Sequence, residues 1–339
     1  MSNDLTPDWI LKQVLNVQDK AHGDWLKTSH PELRPRNAGL TLTLLGCGTM
    51  GLAILSGILE SLQQELPAEK GASEAEPALM LDKVPSRFNA CVRTQESAQK
   101  IKARLERYDA NLTVYENDNL SAVKDSDVVL LCCQSQAARE ILGAPGIKEA
   151  LAGKLLISVC AGLKHSSISD FLCGDQHSPN DYTIVCAVPN AAAAIRQSMT
   201  IIATPDRPIS DQNSALVDWI FTRIGRVMYL PSSAMDASMG LCGSGPAFMS
   251  LVIESLAAGG IAGGIPRDAA YTMAAQVMRG TSEMILQGEH PAVIRDRTNT
   301  PGGSSSAGLH VLEENAVRGA MARAVREATV AARDLEKAI

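Results

Sequence analysis

Aromatic residues make up only 4% of this 339-residue chain, and no long run of Lys and Arg appears. Together with a formal net charge of −6, that excludes a base-stacking platform and electrostatic binding of nucleic acid or an anionic membrane surface. There is no C-x-x-C pair and no tight Cys/His cluster, so no metal site is expected. Most of the eight cysteines sit inside apolar runs (Cys47, Cys91, Cys132, Cys133, Cys160, Cys186) and read as buried free thiols of a reducing compartment. Residues 1–37 lack the apolar centre of a signal peptide and carry Asp4, Asp8, Asp19 and Asp24, too acidic for a typical transit peptide. No apolar run is expected to reach the roughly 20 residues of a membrane span. These readings place the protein in the cytoplasm.

The chain has 45% hydrophobic and 20% charged residues, enough for a large core, and its length suits two domains. Alternating Leu and Thr at 40–45 predict a strand, and 52–64 a helix. Between them stands Gly46-Cys47-Gly48-Thr49-Met50-Gly51, a G-x-G-x-x-G turn. Strand, turn and helix in that order form a dinucleotide fingerprint. In it, Gly46 allows the tight turn, Gly48 the approach of a pyrophosphate, and Gly51 close helix–strand packing.

Two segments compete for the second strand, 78–82 ending in Asp82 and 88–92 ending before Arg93. An acid there would hold the ribose hydroxyls of NAD, and a base the extra phosphate of NADP. The helical run 96–108 follows 88–92 directly, which favours the second segment. The polar stretch 67–77 then reads as a surface insertion, and Arg93 becomes the candidate 2′-phosphate ligand with Thr94 and Ser97 beside it. Further strands are expected at 112–115, 127–133, 155–159, 183–188, 199–203 and 226–230, with helices at 119–123 and near 211–223. This alternation predicts a parallel, doubly wound sheet. Asn190 closes one strand at its carboxyl end, where ligands bind in such sheets.

Beyond Pro231 the strand signals stop. Helices are expected at 247–262, 268–287 and 305–337, with a short one before Thr300. The first is apolar all round, so it is either deeply buried or covered by another subunit, and an interlocked homodimer is inferred. The segment Thr300-Pro301-Gly302-Gly303-Ser304-Ser305-Ser306 opens the last helix and offers bare backbone N–H groups and hydroxyls to a small carboxylate.

This last segment, continued through Ala307-Gly308-Leu309-His310-Val311-Leu312-Glu313, resembles the signature of the pyrroline-5-carboxylate reductase family. Leu241-Cys242-Gly243-Ser244-Gly245-Pro246-Ala247-Phe248, the glycine-rich turn and Val188-Pro189-Asn190 resemble its other motifs, and the likeness spans about residues 40–337. The resemblance implies an N-terminal Rossmann domain (39–231, after an extension at 1–38) and an all-helical dimerisation domain (232–339). It implies reduction of 1-pyrroline-5-carboxylate to L-proline by NADPH, with NADH as the alternative. Ser305 would meet the ring nitrogen, and Gly302, Gly303, Ser304 and Asn190 would help hold the substrate. The cofactor would touch Gly46, Cys47, Gly48, Thr49, Met50, Arg93, Thr94, Asn119, Cys133, Gln134, Cys160 and Ala161. Gln134-Ser135 stands where the family usually has Lys-Pro, and Ser304 and Ser305 replace its usual threonines. Two other readings stay open: a 3-hydroxyacid dehydrogenase, although the only lysine beyond residue 231 is Lys337, and a non-catalytic NADP(H) sensor.

Overall fold

The computed structural model describes residues 39–64, 83–173, 182–205 and 207–337. The 1–38 extension, the 67–77 insertion and the competing strand 78–82 lie outside the described residues. Among the described residues, one compact unit comprises 39–246 with 323–337 and a second comprises 247–322.

The first unit is built on an eight-stranded sheet in the order β3-β2-β1-β4-β5-β6-β7-β8. Its strands are β1 Leu40–Leu45, β2 Pro85–Val92, β3 Leu112–Glu116, β4 Val128–Leu131, β5 Leu155–Ser158, β6 Thr183–Val188, β7 Ser198–Ala203 and β8 Gly225–Leu230. Helices α1 Thr49–Gln64, α2 Gln95–Leu105, α3 Asn119–Lys124, α4 Ser135–Leu142, α5 Ile147–Leu151, α6 His165–Cys173 and α7 Asp211–Thr222 fill the connections.

Strand geometry points successive side chains to opposite faces, and the core divides accordingly. Leu42, Leu44, Leu130 and Ile157 pack with Ile54, Ile58, Ile101, Ile220 and Phe221 on the face of α1, α2 and α7. Leu45, Val129, Leu131 and Leu156 pack with Leu142, Ile147, Leu151 and Ile168 on the face of α4, α5 and α6. Strands buried on both sides cannot show an apolar/polar alternation, which is why β4 and β5 read as continuous apolar runs.

Two expectations about this sheet are corrected. It is parallel only from β3 to β6, because β7 pairs antiparallel with β6 and β8 follows β7 in parallel. The connection 189–197 holds only a short 3-10 turn, Ala191–Ile195, and a parallel return needs a crossover of about a dozen residues or more. The apolar run 127–133 is also not all strand. Pairing stops at Leu131, and Cys132 and Cys133 lead into the turn before α4.

Past β8 the chain makes short helical turns at Ser232–Ala234, α8 Met235–Ser238 and a π-turn at Met239–Gly243. It continues through α9 Gly245–Ala262, α10 Arg267–Leu286, α11 Pro291–Thr298, α12 Ser304–Glu314 and α13 Val317–Lys337. The expected last helix is therefore two helices. Asn315 closes the first, and Ala316 takes a left-handed φ of 51°, which a continuing α-helix does not allow. The far end of α13 belongs to the sheet unit, where Arg333 lies 3.5 Å from Asp236.

The helices of the second unit leave large apolar side chains exposed. Leu251, Val277 and Val311 are 63%, 64% and 55% accessible. Against expectation, the continuous stretch Ser232–Ala262 is long and apolar enough to cross a membrane by length and composition, with 6% of its apolar window buried. Surface of this extent marks a face that another molecule covers.

Candidate active site

The glycine-rich turn sits at the carboxyl end of β1, between two parallel neighbours. Cys47 N–H donates to the Cys91 carbonyl at 2.8 Å and Cys132 N–H to the Leu45 carbonyl at 2.8 Å, so the ends of β1, β2 and β4 are tied together. Gly46 has φ +82°, and a Cβ there would stand 2.7 Å from the Cys133 backbone. A Cβ on Gly51 would touch the Cys132 side chain at 3.4 Å, the close packing of α1 on β4 that the motif requires. Gly48 is exposed and a Cβ on it would meet nothing within 4 Å. The turn thus leaves open space in front of Gly48 at the start of α1, the concave backbone that a pyrophosphate needs.

The other expected cofactor contacts lie at neighbouring strand ends. Arg93 follows β2 directly and is exposed. Thr94 is the N-cap of α2, its hydroxyl accepting from Ser97 N–H at 3.3 Å and lying 3.0 Å from the Ser97 hydroxyl. This confirms 88–92 as part of β2. Asn119 opens α3 behind the cap Asp118. Cys133 and Gln134 follow β4, and Cys160 and Ala161 follow β5. Thr49 and Met50 begin α1, with Met50 packed partly into the core. Ser135, where the family's proline stands, is buried and donates to the Ala161 carbonyl, joining the loops after β4 and β5. No motif in the sequence marks that hydroxyl.

Asn190 lies at the end of β6, as expected, but its side chain is occupied within the chain. Oδ1 accepts from Ala192 N–H at 3.0 Å, and the amide nitrogen donates to the Cys242 carbonyl at 3.1 Å. The reason is local. In a helix the Cys242 carbonyl would accept from residue 246, which is proline and has no N–H. Asn190 supplies the missing donor and pins the π-turn ahead of α9 to the sheet. Replacing Asn190 with alanine leaves that carbonyl unpaired and removes a cap. It is expected to cost about 1–2 kcal/mol, read as a lower urea midpoint at unchanged slope.

In the second unit, Gly302 has φ +69° and Gly303 caps α12 without a side chain of its own. Gly303 N–H donates to the Thr300 carbonyl at 3.0 Å, which curls the loop under the helix start. Ser304 and Ser305 stand exposed in the first turn. With no side-chain cap, the N–H groups of that turn are available to an anion, and the helix dipole favours one. Gly302, Gly303, Ser304 and Ser305 thus lie together on one loop whose first helical turn carries no side-chain cap.

The sheet order, the open glycine turn and the helical tail with its uncovered apolar faces define a two-part nicotinamide-nucleotide oxidoreductase. Residues 41–162 match the family described as NADP oxidoreductase coenzyme F420-dependent, and residues 232–335 match pyrroline-5-carboxylate reductase dimerisation. A pyrroline-5-carboxylate reductase of Lophium arboricola is 47% identical over 304 residues, covering 88% of this chain and 94% of that protein. That of Neurospora crassa is 43% identical over 86% and 92%, and that of Schizosaccharomyces pombe 39% over 87% and 98%. The NADP-bound pyrroline carboxylate reductase of Plasmodium falciparum has the same fold, with a TM-score of 0.70 at 22% identity over 88% of this chain and 98% of that one. The chain belongs to the pyrroline-5-carboxylate reductase family. The uncovered apolar faces fall in the dimerisation segment.

Proposed function

We infer that this chain reduces the cyclic imine 1-pyrroline-5-carboxylate to L-proline with NADPH, the last step of proline biosynthesis. The observation that carries this reading is the 47% identity across nearly the whole length of a relative bearing that name. The open space before Gly48 fits the cofactor: Gly46 to Met50 would hold its pyrophosphate at the start of α1. Arg93 would hold the 2′-phosphate with Thr94 and Ser97, and Asn119, Cys133, Gln134, Cys160 and Ala161 would line the strand ends it crosses. When bound, the cofactor supplies the hydride.

The chain's own residues then orient the imine. The first-turn N–H groups of α12, freed by Gly302 and Gly303 and adjoining Ser304, hold the substrate carboxylate. Ser305 donates to the ring nitrogen. A protonated imine is already electrophilic, so positioning does most of the work. Asn190 contributes by fixing the turn that leads into α9. The working form is a homodimer or a larger homo-oligomer, in which the exposed faces of α9, α10 and α12 are covered, with no nucleic acid or membrane as partner. A cytoplasmic setting fits the seven free thiols among the described residues.

The test is loss of NADPH absorbance on adding 1-pyrroline-5-carboxylate, with proline identified as product. A folded chain that binds NADPH and leaves the imine unchanged would overturn the reading in favour of a sensor. Arg93→Ala separates the cofactors. Because a phosphate–guanidinium pair is lost only with NADPH, the kcat/KM preference for NADPH over NADH should fall about tenfold or more, with NADH turnover nearly unaltered.

A further inference from the structure

Cys133 and Cys160 face one another across the ends of β4 and β5. The strands pair in parallel with Leu131 opposite Ser158, and the ladder continues through Val159 N–H to the Leu131 carbonyl at 2.9 Å. Two residues beyond these paired strand ends, Cys133 and Cys160 come side by side. Neighbouring strands lie about 4.8 Å apart. That falls inside the Cα separation of about 4.4–6.8 Å that a disulfide spans. The two sulfurs are 3.8 Å apart, and Cys160 Sγ also lies 3.2 Å from the Cys133 carbonyl.

The pair is set apart from the other thiols. Cys47, Cys91 and Cys132 are buried, and burial pushes Cys47 and Cys91 up to about 12 and Cys132 well above its ordinary value. Cys133 is only half-buried and shifts the other way: the hydrogen-bonding contact with Cys160 holds its thiol below the usual range. Cys160 keeps its proton correspondingly longer. One sulfur is therefore poised as nucleophile, with a second in contact to resolve it.

We propose that Cys133 and Cys160 are a redox-modification site, a dithiol that a hydroperoxide closes to a reversible disulfide and that bound nucleotide shields. In the first step the Cys133 thiolate attacks a peroxide oxygen. The O–O bond breaks, water leaves after taking a proton, and Cys133 becomes a sulfenic acid. In the second, Cys160 attacks that sulfur, the S–O bond breaks, and a second water leaves with the Cys160 proton. Two thiols and one hydrogen peroxide yield one disulfide and two waters, the two electrons passing from the sulfurs to the peroxide. A dithiol reductant reverses it by thiol–disulfide exchange. Formation of the bond stands on the sulfur contact at these strand ends; shielding rests on the reading of the same strand ends as the nucleotide site.

The folded full-length chain is treated with hydrogen peroxide, and intact mass and peptide maps are followed, with and without NADP+. The expected product is lighter by two hydrogens, with the peptides of Cys133 and Cys160 joined. Dithiothreitol restores it, and it is absent from both Cys133→Ser and Cys160→Ser. NADP+ at about ten times its Kd should slow its appearance about tenfold, the factor by which the free form is depleted. Failure to join these peptides, or a cross-link that persists in either variant, overturns the proposal. A cross-link that forms equally fast in NADP+, while NADPH fluorescence shows nucleotide bound, overturns the shielding alone. Absence of nucleotide binding instead counts against the functional reading and leaves the disulfide standing.

Discussion

Gly46→Ala is expected to abolish measurable NADPH binding, a loss on the order of 10²-fold or more in affinity, while Gly48→Ala loses affinity without losing stability. The two glycines are two residues apart and fail for different reasons. At Gly46 the backbone sits at φ +82°, which costs a residue with a Cβ about 1–2 kcal/mol. The added methyl would also stand 2.7 Å from the Cys133 backbone, which is tied through its neighbour Cys132 to β1 and has no freedom to retreat. The turn must open, and the N–H groups proposed to cradle the pyrophosphate would move with it. Every 1.4 kcal/mol is tenfold in binding, so strain and misplacement together reach two decades.

At Gly48 the same methyl meets nothing within 4 Å. The apo protein should melt within a degree or two of wild type, yet the methyl would fill the space proposed for the pyrophosphate. Fluorescence titration with NADPH alongside thermal melts reads both effects. If Gly48→Ala bound NADPH as well as wild type, the open space before that glycine would not be where the cofactor lies.

What the sequence made legible follows from which signals are local. The strand–turn–helix around Gly46 is written in consecutive residues, so its position and its backbone geometry both stand. The choice of β2 at Pro85–Val92 is settled by the helix that follows at once through the Thr94 cap. What was not legible depends on partners far along the chain. The antiparallel turn of β7 follows from how little chain separates it from β6, not from its own Ser198–Ala203 pattern. The break at Ala316 is a left-handed alanine, with neither glycine nor proline to announce it. Asn190 looked like a ligand-facing amide at a strand end. Its engagement depends on Pro246 removing a donor 56 positions away (246 − 190), a relation visible only once both are placed. The Cys133–Cys160 contact is of the same kind: two unremarkable thiols until β4 and β5 are set in register.

Ser305→Ala is expected to lower kcat on the order of 10²-fold, with the KM for the imine changed by less than a few-fold and NADPH binding unaltered. In the proposed reaction the carboxylate would be held by backbone N–H groups of the first turn of α12, which the substitution leaves in place. Gly302 and Gly303, not the serine side chains, set the path of that loop. Alanine is also the better helix former, so α12 should not fray. The hydroxyl's proposed contribution is a hydrogen bond to the ring nitrogen that would strengthen as that nitrogen takes on amine character, an interaction made mainly in the transition state. Such an interaction appears in kcat and kcat/KM alike, with KM left in place.

A residual rate is expected because the iminium is electrophilic without help, and a positioned donor is typically worth 10²–10⁴-fold. Ser305→Thr restores the hydroxyl on the same backbone and should recover most of the rate, whereas a loss of helix geometry would not be rescued by a β-branched residue. The neighbouring Ser304→Ala is the internal control. Its hydroxyl lies in the same turn, but no proton transfer is assigned to it, so its kcat should stay within a few-fold of wild type. Equal loss at both positions, or a Ser305→Ala enzyme as fast as wild type, would move the proton donor away from Ser305 and leave the loop as a carboxylate site alone.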